Sequence, residues 1–169
     1  MSTDTETERG SVLAMALRMF QSLEALEEEH SDWREALRAQ ELMETAGYYG
    51  LEEDSDWLEE AAGYRETVRL YLEREAEEYG PEERVSEDRD PVWLWLESSL
   101  DVATVWESRS GEQPEPRGWE ILICYGGPSA GLELERDGRA TVWAAHWSPT
   151  ERVSGRLEWL ANYLEELGL

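Results

Sequence analysis

Apolar residues recur at helical spacing through the first half of the chain and take up strand spacing only between Trp119 and Trp147. From Ser11 onward, Val12, Ala16, Met19, Leu23 and Leu26 mark one face of a first helix, flanked by Leu13, Leu17 and Phe20. The run Glu27-Glu28-Glu29 ends it, and Ser31 caps a second helix that carries Trp33, Leu37 and Met43 and stops near Gly47. A third, longer helix is predicted from about Glu52 to Tyr79. Its apolar side holds Trp57, Ala61, Tyr64, Val68, Tyr71 or Leu72, and Tyr79, and Gly80-Pro81 halts it. Gly63 inside this pattern costs roughly 1 kcal/mol against alanine. Residues 80–90, GPEERVSEDRD, read as a polar linker. Asp90-Pro91 then has the form of an N-cap followed by proline at the first helical position. That favours a short helix over Val92–Ser98, although the alternation in VWLWL suits a strand equally.

Leu100–Ser108 reads as a strand, because Val102, Val105 and Trp106 are good strand formers. Residues 111–118, GEQPEPRG, read as a long loop. Glu120–Tyr125 is apolar on both faces, which predicts a central strand. Gly126-Gly127-Pro128 turns the chain, and Leu132 and Leu134 alternate with Glu133 and Glu135 in the next strand. Asp137-Gly138 is a type I′ hairpin signal, with Arg139–Trp147 as the returning strand. Ser148-Pro149-Thr150-Glu151 has capping-box spacing before a last helix carrying Val153, Leu157, Leu160, Leu164 and Leu167. The expected fold is α+β: N-terminal acidic helices, a four-stranded, mostly antiparallel sheet, and a C-terminal helix packed on the sheet through Leu157, Leu160 and Leu164. The expected division is a disordered tail over 1–10, an acidic helical region over 11–80, a linker with a short helix over 81–99, and the sheet with its helix over 100–169.

Charge changes the picture most. The 169 residues hold 40 acidic side chains against 15 basic ones, a net of −25. Every basic residue is Arg, and Lys is absent. With nine Trp, one Phe, two Ile and one Asn, the usage follows GC-rich codons, so the missing Lys reads as genome composition more than physics. Residues 1–90 carry 27 acidic and 9 basic groups, a net of −18, and residues 91–169 carry 13 and 6, a net of −7. Such a balance excludes direct binding to nucleic acid or to an anionic membrane, and it points to a partner with a basic surface or to solvation. The single Cys124 excludes an intramolecular disulfide and a Cys-rich metal site. The acidic start MSTDTETERG and the apolar run interrupted by Arg18 do not make a signal peptide, and no apolar run is long enough to span a bilayer. A cytoplasmic location is expected.

Candidate chemistry is thin. Cys124 sits in an apolar run with neither histidine near it in sequence, so it reads as a small buried hydrophobe. His146 lies between Ala145 and Trp147 with no nucleophile or carboxylate constellation, and His30 ends a Glu run as a solvated helix terminus would. Gly126-Gly127-Pro128 lacks the following helix and the Lys-Ser/Thr of a phosphate loop. No EF-hand spacing appears among the carboxylates. Trp143 and Trp147 share a strand face with Thr141 and Ala145, a face expected to meet the helices. No enzyme activity, cofactor or metal is expected.

The C-terminal half resembles a family of small, uncharacterised proteins encoded by phages, prophages and plasmids. The resemblance rests on Leu100-Asp101-Val102 opening a strand, on Ile121-Leu122-Ile123-Cys124-Tyr125-Gly126-Gly127-Pro128, on the Trp-containing strand ending at Trp147, and on Tyr163-Leu164-Glu165-Glu166-Leu167. It covers residues 100–169, except that Ser129-Ala130-Gly131 stands where an apolar strand would resume at once. It implies an antiparallel sheet with a C-terminal helix and a mobile-element origin, and it carries no catalytic residue.

The acidic helices offer the remaining functional signal. Glu52, Glu53, Asp54, Asp56, Glu59, Glu60, Glu66, Glu73, Glu75, Glu77 and Glu78 fall on the predicted third helix. At 1.5 Å per residue it is about 40 Å long, with a negative charge about every 4 Å. That spacing is near the ~3.4 Å axial spacing of phosphates on one DNA strand. The expectation is a non-enzymatic inhibitor of the anti-CRISPR or anti-restriction type. It would occupy the basic groove of a host nucleic-acid-binding defence protein by charge mimicry, with Trp and Tyr supplying contact area at the patch centre. The alternative expectation is a phage or plasmid structural or assembly protein, with a solvated acidic surface and a homodimer formed through its sheet edge or helices.

Overall fold

The computed structural model describes residues 3–49, 55–107, 113–124, 129–146 and 150–169. Its elements run α1 (Thr3–Tyr49), α2 (Ser55–Tyr79), a 3₁₀ turn (Glu87–Arg89), α3 (Pro91–Ser98), β1 (Asp101–Glu107), β2 (Glu115–Cys124), β3 (Ser129–Glu135), β4 (Arg139–Ala145), β5 (Thr150–Arg156) and α4 (Glu158–Glu166). The fold is mixed α+β. The chain forms two compact units, residues 28–94 and residues 1–27 together with 95–169. Residues 1–27 thus group with the sheet, and residues 81–94 group with the helices.

Where two N-terminal helices were expected there is one. α1 starts at Thr3, so the expected disordered tail is helical from that residue, and it runs unbroken through Glu27–Ser31. No Gly or Pro interrupts that stretch, and Glu is a good helix former. The buried positions Leu23, Leu26, His30, Trp33, Ala36 and Gln40 keep steps of three and four across it, while Ser31 faces solvent.

In the helical unit, Trp33, Ala36 and Ala39 of α1 pack with Val68 and Tyr71 of α2 and with Val85. Leu37, Met43, Tyr64 and Leu72 pad this core. Val85 is the sole apolar residue of the expected linker, and it turns that segment into a strap. The Gln40 amide takes both its backbone groups: the Val85 N–H donates to Gln40 Oε1 at 2.7 Å, and Gln40 Nε2 donates to the Val85 carbonyl at 3.3 Å. Trp33 Nε1 donates to the Ser86 carbonyl at 3.0 Å. α3 forms where the Asp90-Pro91 signal placed it. Asp90 Oδ1 accepts from the N–H groups of Val92 at 2.9 Å and Trp93 at 3.4 Å, which is the N-cap arrangement.

The sheet unit has five antiparallel strands in the order β1-β2-β3-β4-β5, one more than expected. β2 begins at Glu115, so the second half of the expected loop is strand. Its register with β1 shifts between Val105 and Trp106, where Trp106 faces Pro116. The Arg136–Gly138 turn is a three-residue loop rather than a two-residue type I′ turn. The Gly138 N–H donates to the Glu135 carbonyl at 2.9 Å, and Gly138 has a φ of +82°, which closes the turn in the left-handed region. The Gly126-Gly127-Pro128 turn, Trp147 and Ser148-Pro149 lie outside the described residues.

β5 replaces the expected start of the last helix. Thr150-Glu-Arg-Val-Ser-Gly-Arg alternates in exposure and pairs with the whole of β4, from Arg139↔Arg156 to Ala145↔Thr150. Thr, Val, Ser and Gly are weak helix formers, so the ladder with β4 prevails over a spacing that only imitated a helix. α4 therefore starts at Glu158. Leu157, Leu160 and Leu164 are fully buried as expected, whereas Leu167 is exposed.

One sheet face is the core. Across β2, β3 and β4 it carries Ile121, Leu132 and Val142 in one register row and Trp119, Leu134 and Ala140 in the next, all buried. A single sheet leaves that face wet unless a layer covers it. Phe20 of α1 rests on Gly155 so closely that a Cβ there would lie 2.3 Å from its ring. Trp143 is on the opposite, outer face, where its indole lies over Gly131, so it does not meet the helices as the sequence suggested.

Candidate acidic interface

α2 presents its apolar side, Ala61, Val68 and Tyr71, to the core of the helical unit. Glu59, Glu66 and Glu73 recur every seven residues, and Glu77 lies four further on, so these four form one stripe on the opposite side of the helix. All four are exposed. Glu60 is exposed on the flank. Glu75 is turned toward the core side, 3.8 Å from Arg74. Glu52, Glu53 and Asp54 lie outside the described residues. Asp56 and Glu78 fall on α2, with side chains outside the described set. The sequence-based spacing of one charge per 4 Å counted carboxylates all around the helix. Only one side of a helix faces a partner, and along the stripe successive carboxylates of the seven-residue repeat are about 10 Å apart.

The stripe is partly neutralised. Arg69 binds Glu66 through two contacts, at 2.6 and 2.9 Å, and Glu73 at 2.5 Å. The Arg69 guanidinium holds the Glu66 carboxyl below the usual carboxylate range, and the two carboxylates push Arg69 further up. These are exposed pairs and add little to stability. Their effect is on the local field, which Glu59 and Glu77 carry at the two ends without a counter-ion among the described residues.

A second stripe, unread in the sequence, lies on α1. Glu28, Asp32 and Glu35 are exposed at i, i+4 and i+7. The signal was there, because all three sit off the Leu26–His30–Trp33 seam. Arg74 of α2 reaches Asp32 at 2.5 Å, and a cleft of about 210 Å³ between the helices is lined by Asp32, Glu35, Thr67, Leu70, Tyr71 and Arg74. The exposed hydrophobe on this surface is Leu70, at 53%. Trp57 and Tyr64, read from the sequence as part of the apolar side of α2, contact each other at 5.9 Å and are half-buried. Within the cleft, burial first and the Glu75 carboxylate second push the Tyr71 phenol up to about 12.

The histidines and the cysteine occupy other places. His30 is buried rather than a solvated terminus: its Nδ1 lies 3.0 Å from Asp90 Oδ1, and its ring stacks on Trp33 at 5.5 Å. The same Asp90 oxygen caps α3, so this pair ties α1 to α3. Cys124 and His146 are half-buried near the ends of β2 and β4. Among the described residues no group of three His, Cys, Asp or Glu is placed to hold a metal ion, and no helix is long and apolar enough to cross a membrane. No protein family, no curated protein and no solved structure matches the chain.

Proposed function

We propose that the protein is a non-enzymatic inhibitor that sets its acidic helices into the basic groove of a nucleic-acid-binding protein and excludes the nucleic acid. The observation that carries this reading is the presence of two exposed acidic stripes on neighbouring helices, Glu28, Asp32 and Glu35 on α1 and Glu59, Glu66, Glu73 and Glu77 on α2, with Asp32 and Glu35 also lining the cleft beside Leu70. The helical unit bearing them, residues 28–94, has 22 acidic and 7 basic side chains, a net of −15. A surface of one sign draws an oppositely charged groove by long-range attraction, and Leu70 adds apolar contact area at the centre. The resemblance of residues 100–169 to mobile-element proteins makes a host defence nuclease of the CRISPR or restriction type the proposed partner, in the cytoplasm of the host cell.

The test is competition. A labelled duplex is bound to a basic nuclease recovered with the protein from host lysate, and the protein is added. Release of the duplex at low salt, lost at high salt, is the expected outcome. A stable ternary complex of nuclease, duplex and protein contradicts the proposal.

A further inference from the structure

The outer face of the sheet carries one row from edge to edge: Ala103, Glu120, Glu133, Thr141 and Ser154 on β1 to β5. Glu120 and Glu133 stand directly opposite each other, a like-charge pair that is unfavourable by itself. Glu133 is relieved from two strands away. Arg152 on β5 reaches over β4 and donates to both Glu133 oxygens, at 2.9 and 3.1 Å. Two strand spacings are about 10 Å, within reach of an arginine and a glutamate extended toward each other. Glu120 is in the mirror position. A cation two strands away on its other side would lie beyond β1, which ends the sheet.

The path from that position to Glu120 crosses β1 at Ala103, an exposed methyl group that a long side chain passes over. A hollow of about 210 Å³, lined by Val105, Arg117, Gly118, Glu120, Glu133 and Glu135, opens at the same carboxylate. Among the described residues β1 is also a lightly guarded edge, its one irregularity being the register shift between Val105 and Trp106. Its sequence, Asp-Val-Ala-Thr-Val-Trp-Glu, has an apolar and β-branched centre, no proline and no cation, and Trp106 is 60% exposed. Sheet edges are ordinarily blunted by inward charges, bulges or proline, and the other edge strand, β5, carries Glu151, Arg152 and Arg156.

We propose that β1 accepts an extended, basic segment of a partner protein as an added strand, with an Arg or Lys of that segment passing over Ala103 to Glu120. Main-chain bonds along the edge supply affinity, and the cation selects the sequence. A second copy of this chain fits less well. Two β1 strands paired antiparallel about Thr104 set Asp101 against Glu107 and bring no cation to Glu120. The site is in the sheet unit and stands independently of the stripes on α1 and α2.

The probe is a short synthetic peptide alternating Val and Thr around a central Arg, with a twin carrying Gln in place of Arg. Both are titrated into the isotope-labelled full chain and followed by amide chemical shifts. The expected result is shifts concentrated in residues 101–107, with the Arg peptide binding about fivefold more tightly than the twin, as one exposed ion pair allows. Glu120→Gln removes that difference. Ala103→Leu, an exposed substitution expected to leave the melting temperature unchanged, lowers the Arg peptide to the level of its twin. Equal affinity of the two peptides for the wild type, shifts elsewhere, absence of binding, or self-association through β1 without peptide uptake each overturn the proposal.

Discussion

At the scale of single residues, the helical unit depends on polar side chains placed inside it. Gln40 is 8% exposed and satisfies both backbone groups of Val85. Gln40→Ala leaves a buried N–H and C=O without partners, and the expected cost is about 1–3 kcal/mol, read as a lowered urea midpoint. Tyr71 gives a pH signature. Its phenol titrates near 12 in the fold against an ordinary value near 10. The unfolded chain therefore releases this proton first, and the stability present below pH 10 falls as pH rises from about 10 to 12. Tyr71→Phe should flatten that alkaline loss in melting curves. Neither role was legible in the sequence. His30 read as solvent-facing and Gln40 drew no reading, because their partners, Asp90 and Val85, lie 60 and 45 residues away, and no local pattern carries that information. Asp90 as the cap of α3 was legible, because a cap is a local contact.

At the scale of elements, short-range signals were reliable, and imitations of them were not. Asp90-Pro91 marked α3, the alternation of Leu132 and Leu134 marked β3, and Asp137-Gly138 marked a turn. The last helix was extended too far back because Val153 lies four residues before Leu157 and Ser148–Glu151 imitates a capping box. Gly155→Ala separates the two readings by sign. In a helix it would stabilise by roughly 1 kcal/mol. In β5 it drives a methyl group against Phe20, and the expected loss is about 1–3 kcal/mol by thermal melting. α1 was divided for a related reason, since three glutamates and a serine look like an ending when the buried histidine between them is taken as polar surface.

At the scale of the whole molecule, the charge was legible from composition, but its arrangement was not. A net of −25 gave the sign of the surface. It did not show that Arg69 clasps Glu66 and Glu73, or that α1 contributes a second stripe. The central claim is that this surface recruits a basic groove through its field. The most direct measurement is the association rate with the recovered partner at 0.1 M and 1 M salt, where the Debye length falls from about 10 Å to about 3 Å. It compares the wild type with the Glu59→Arg, Glu60→Arg, Glu77→Arg variant, whose sites are all exposed. The account predicts an unchanged melting temperature, a wild-type association rate that drops steeply with salt, and a variant that associates slowly at both concentrations with little change in dissociation. An association rate that neither salt nor the triple reversal alters would contradict it.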